Sequence, residues 1–64
     1  MRLFTTSELA RRNETELSVL FNECNLALAR AEPFSSEWHR ASANVETILR
    51  VRKQRAQQYR PKWP

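Results

Sequence analysis

Residues 13–31, NETELSVLFNECNLALARA, decide how this chain is read. Asn13 stands where a helix N-cap belongs, and Glu16 follows at capping-box spacing. Glu14 and Glu16 in the first turn suit the positive end of the helix dipole. Leu17, Leu20, Phe21, Cys24, Ala27, Leu28 and Ala31 then recur at steps of three and four. That is the period of a helix with one apolar face. Pro33 closes the stretch, because proline disfavours helical geometry at the residue before it, here Glu32. Val19 and Leu26 lie seven apart on a different face. Two helices folded together cannot cover both stripes, so Val19 and Leu26 are expected to contact a second copy or a partner.

Outward from this stretch the same signals recur. On the N-terminal side, Thr5 and Glu8 have capping-box spacing, and Phe4 and Leu9 are placed for a hydrophobic staple across that cap. A mini-helix is expected over 6–12. On the C-terminal side, Phe34-Ser35-Ser36 is a tight connection, with Ser35 or Ser36 as the next N-cap and Glu37 in the first turn. The last helix is expected from 36 to about 59. Its apolar stripe reads Trp38, Ala41, Val45, Ile48, Arg52, Ala56 and Tyr59, with Leu49 adjoining; it is good up to Leu49 and weak afterwards, and Pro61 stops the helix. So short a loop makes two long helices antiparallel neighbours. The expected fold is all-α: an antiparallel helical hairpin with a short N-terminal helix, assembled as a homodimeric helical bundle. Residues 1–60 form one helical domain and 61–64 a mobile tail.

Size argues for the dimer. A chain of 64 residues buries about 60% of the surface its unfolded form exposes. Such a core rarely supplies more than ~3–5 kcal/mol without a staple. Cys24 is the only cysteine, so no internal disulfide is available. With one His and one Cys, a structural metal is not expected either. There is no glycine, so no phosphate-cradling loop exists, and there is no aspartate. A Cys24–His39 pair would lack an orienting aspartate, and Cys24 belongs to the apolar face, where free cysteine behaves as a small hydrophobe. Neither catalysis nor a cofactor is expected. No apolar run nears the ~20 residues of a membrane span. MRLFTTSEL lacks the hydrophobic region of a signal peptide. With a free thiol, this points to the cytoplasm.

Charge is segregated. Residues 1–49 carry five basic and seven acidic side chains, a balance of −2, whereas residues 50–64 carry six basic and none acidic. Folding the hairpin about Phe34 brings Arg11 and Arg12 near Arg50, Arg52, Lys53 and Arg55. These six are candidate contacts to the phosphates of DNA or RNA. The plainer account is a solvated basic face that complements the helix C-terminus. Glu14 and Glu16 fall in the same region and are expected to neutralise part of it. Trp38 is a candidate aromatic anchor for a partner, though an aromatic cluster with Phe34 that caps the core is the plainer and favoured account. Trp63 could dock a groove as part of a short extended segment.

The run TTSELARRNETELSVLFNECNLALARAEP, with Ala43-Asn44-Val45-Glu46-Thr47-Ile48-Leu49-Arg50 in the last helix, resembles a group of very small phage and prophage proteins. These share a Thr-Ser-Glu-Leu opening, a Glu-Leu-containing central helix and a Leu-Ala pair before a proline. It is similar to the short helical open reading frames of the exo–xis region of lambdoid phages. The similarity covers residues 5 to about 52. It implies an accessory protein of the host bacterial cytoplasm that acts on host physiology or the lysis–lysogeny choice by protein–protein contacts. It offers no catalytic residues and does not reach the basic C-terminal end.

Overall fold

The structure is a computed structural model that describes residues 2–58. Three helices follow in order: α1 (Thr6–Ala10), α2 (Glu14–Arg30) and α3 (Ser36–Gln58). Among the described residues there is no strand. Each start is capped where the sequence places a cap. Thr5 accepts from the Glu8 N–H at 3.1 Å, Asn13 from the Glu16 N–H at 2.7 Å, and Ser35 from the Trp38 N–H at 3.2 Å. α1 stops at Ala10, two residues short of the expectation. The Arg12 N–H bonds the Leu9 carbonyl at 3.1 Å, a tightened last turn that leaves Asn13 free to start α2.

The connection from α2 to α3 is a turn without glycine. The Ser35 N–H reaches the Glu32 carbonyl at 3.1 Å, with Pro33 and Phe34 between them. Pro33 occupies the position where its fixed φ is an advantage. Phe34 takes the next position at φ 66°, where type II turns normally use glycine. A bulky side chain in left-handed geometry is strained.

α2 packs on α3, and α1 lies against α3. The core is Leu9, Leu17, Cys24, Ile48 and Val51, with Phe4, Leu20, Phe21 and Val45 partly buried around it. Phe4 and Leu9 meet there, as a staple across the α1 cap requires. The apolar face of α2 runs as its spacing indicates. The stripe of α3 does so through Ala41, Val45 and Ile48 and departs after them. Arg52 and Ala56 are exposed, while Ala41, Asn44, Ile48 and Val51 are buried. At 3.6 residues per turn a straight face alternates steps of three and four. The expected stripe took successive steps of four after Ile48 and walked off the core. Tyr59, Pro61 and the 61–64 tail lie outside the described residues.

Asn44 is the one buried polar side chain among the described residues. Its Oδ1 accepts from the Phe4 N–H and its Nδ2 donates to the Arg2 carbonyl, both at 2.9 Å. The amide thus imitates one rung of a sheet and fastens the extended lead-in to the middle of α3. Arg2 adds a two-pronged bond to Glu8, at 2.7 and 3.0 Å, and lies 4.9 Å from the centre of the Phe4 ring. The radius of gyration is 13.6 Å, against about 11 Å for a compact chain of this length. The extents are 51 × 19 × 16 Å.

Candidate interaction surfaces

The basic cluster is sorted by its glutamates. Arg55 sits at the edge of the core face of α3 and is partly exposed. Its Nη1 bonds Glu14 at 3.0 Å, and its Nη2 donates to the Ala10 carbonyl at 2.9 Å, to the Leu9 carbonyl at 3.4 Å and to the Arg12 carbonyl. The Leu9 carbonyl also accepts from the Arg12 N–H, while Ala10 and Arg12 lie at and beyond the end of α1, where carbonyls lack helical partners. The guanidinium, with five donors in a planar fork, satisfies several at once. Arg55 therefore joins the end of α1, the start of α2 and the last turns of α3. Arg52 lies 3.9 Å from Glu14, and Arg12 pairs with Glu16 at 3.0 Å. The expected neutralisation occurs, and it takes three of the six candidate phosphate contacts. Arg11, Arg50 and Lys53 are exposed and have no side-chain partner among the described residues.

Val19 and Leu26 are 51% and 55% exposed, on the outer side of α2. Beside Val19 is a shallow groove of about 290 Å³ lined by Arg12, Thr15, Glu16, Val19 and Leu20. A more polar depression of about 430 Å³ adjoins it, lined by Ser7, Glu8, Arg11, Arg12 and Glu16. Both are open, unlike the enclosing pockets that bind small molecules. Trp38 is half-buried and stacks with Phe34 at 5.0 Å and with His39 edge-on at 5.1 Å. Phe34 is 75% exposed, so the cluster caps the turn and not the core.

Cys24 is fully buried and His39 exposed, so the two do not form a pair. Burial, helped by Glu23, pushes the Cys24 thiol above its ordinary pKa, which keeps it protonated and unreactive. Arg2 holds the Glu8 carboxyl below the usual carboxylate range, chiefly through their hydrogen bonds, and Glu8 raises Arg2 in turn. Among the described residues no three of His, Cys, Asp and Glu gather as metal ligands do. No described helix is long and apolar enough to cross a membrane.

Sequence reasoning missed two groups. Asn44 scores as polar and so was not assigned to a core face, and Arg55 was counted as a surface cation. The signal for both was phase: positions 41, 44, 48, 51 and 55 continue one face at alternating steps. Leu49, placed beside the stripe, is 48% exposed. Comparison with family models, with curated proteins and with solved structures finds no match.

Proposed function

We propose that this chain is a small interaction module, an antiparallel helical hairpin that pairs with a second copy and acts by contact with other proteins. The observation that carries this is the division of its apolar residues. The core is short, while Val19 and Leu26 on α2 and Leu49 on α3 stand in water on helices already packed on their other sides. Exposed apolar side chains aligned on one face mark an interaction site more often than scattered ones do. Trp38, half-buried beside the turn, is a candidate anchor for such a contact. The resemblance to phage accessory proteins supports placing the partner among host or phage proteins of the bacterial cytoplasm, in host physiology or the lysis–lysogeny choice. Sedimentation equilibrium from low to high micromolar concentration tests the first part. A concentration-dependent dimer is the expected result, and a folded monomer throughout overturns it.

A second reading is favoured by the three of the six candidate cations that no carboxylate neutralises among the described residues. Arg11, Arg50 and Lys53 could hold phosphates of duplex DNA or structured RNA. Binding through three phosphates gives a log–log salt slope of about −2 to −3. Mobility-shift assays at low salt decide it, and absence of retardation there removes it.

A further inference from the structure

The two long edges of the α2–α3 pair differ, and one of them is covered. Asn44 and Val51, seven apart on α3, face the lead-in and α1: Asn44 holds Arg2 and Phe4, and Val51 packs with Leu9. One position further round the helix is a second row, also at steps of seven: Trp38, Val45 and Arg52. On α2 the corresponding row is Glu14, Phe21 and Leu28. The 3.9 Å contact between Arg52 and Glu14 puts these two rows on the same side. Stepping back by seven on one helix and forward by seven on the other turns that contact into a ladder. That register sets Phe21 level with Val45 and Leu28 level with Trp38, as further rungs beside the Glu14–Arg52 contact. Phe21, Leu28, Trp38 and Val45 are only half-buried, and Leu49 beside them is exposed.

We infer that the ladder face is where a second copy of this chain docks, antiparallel, about a two-fold axis near the Phe21–Val45 rung. The inference rests on the self-association proposed above and names its surface. Charge selects the occupant and its direction. Residues 20–47 carry Glu23, Glu32, Glu37 and Glu46 against Arg30 and Arg40, a balance of −2. The rest of the described chain carries Arg2, Arg11, Arg12, Arg50, Arg52, Lys53 and Arg55 against Glu8, Glu14 and Glu16, a balance of +4. A copy laid antiparallel sets each positive end on the other's negative end, whereas a parallel copy opposes like with like. A second pair on the open side completes four long helices around one interior. In that assembly α1 stays outside on each copy. Val19 and Leu26 point away from the two-fold interface and remain available to a different protein.

Sedimentation equilibrium of three chains separates the surfaces. Leu49→Glu places a carboxylate in the dimer interior and is expected to weaken self-association by about tenfold or more. Helical circular dichroism should persist, because Leu49 is half exposed already. The double variant Val19→Glu/Leu26→Glu is expected to dimerise as the parent does. If the double variant dissociates and Leu49→Glu does not, the docking face is wrong and self-association stands. If the parent is monomeric, both fall. Oxidative cross-linking in a Cys24→Ala background covers the case where Leu49→Glu unfolds. Val45→Cys, near the axis, should link copy to copy. Trp38→Cys, seven residues from it on each copy, should not. The reverse pattern overturns the antiparallel arrangement.

Discussion

The two halves of the helix pair are built differently. At the α1 end, Leu9, Leu17, Cys24, Ile48 and Val51 close a core, and Asn44 and Arg55 tie three segments through their side chains. At the turn end the fully buried apolar residue is Ala41, while Leu26 and Phe34 are exposed. One half is finished and the other is incomplete. A chain this short cannot finish both, since its buried fraction is limited by its surface-to-volume ratio. The stability of the monomer is concentrated at the α1 end, while exposed apolar residues occur in both halves: Leu3, Val19 and Leu49 in one, Leu26 and Phe34 in the other.

The sharpest way to break this comparison is to remove apolar volume from each half. Ile48→Ala is expected to cost ~2–4 kcal/mol. That approaches the whole stability of so small a core, and urea titration followed by circular dichroism should show a chain largely unfolded. Leu28→Ala, half-buried near the turn, is expected to cost ~1 kcal/mol. Equal losses would mean that the two halves are one cooperative core.

Next in size is the amide tie. Asn44→Ala removes both bonds to the lead-in and should cost ~1–3 kcal/mol. Hydrogen exchange at the Phe4 amide should speed up while amides in the middle of α2 hold. Arg55→Met keeps the apolar stem but loses the fork, for ~1–2 kcal/mol. Its signature is loss of order at α1, read by the chemical shifts of residues 6–12. Asn44 and Arg55 are also where the sequence was least legible. Caps at Thr5, Asn13 and Ser35 could be read because each depends on a residue three places away. The face of α2 could be read because apolar residues mark it. On α3 the same face is held at two positions by polar side chains, and only their long-range bonds reveal them. The basic candidates misled for the same reason: a guanidinium in a sequence does not announce which carbonyls it will meet.

At the turn end a gain is expected. Phe34→Gly relieves the left-handed strain and gives up the stacking on Trp38. The net effect is a stability increase of ~0.5–1 kcal/mol, measured as a rise in denaturation midpoint. If Phe34 instead serves a contact, the same variant weakens self-association while stabilising the monomer. The smallest effect belongs to Glu8. Its carboxyl titrates lower in the folded chain than in the unfolded one. The stability it lends is therefore present above the unfolded carboxylate's pKa and drains away as pH falls through the folded value. Acid titration by NMR should show the Arg2–Glu8 tie opening before the helices melt, with little change in overall stability because the pair is exposed.

The bond between Arg55 and the carbonyls of Leu9, Ala10 and Arg12 spans more than forty positions of the chain. A helix of five residues cannot nucleate by itself, so α1 has to wait until α3 has arrived to receive it. The first turn in the sequence is thus the last to set during folding, after loop closure has joined the distant ends. Trypsin cleavage beside Arg11 and Arg12 would time that step, cutting early in refolding and falling silent once Arg55 has closed over the site.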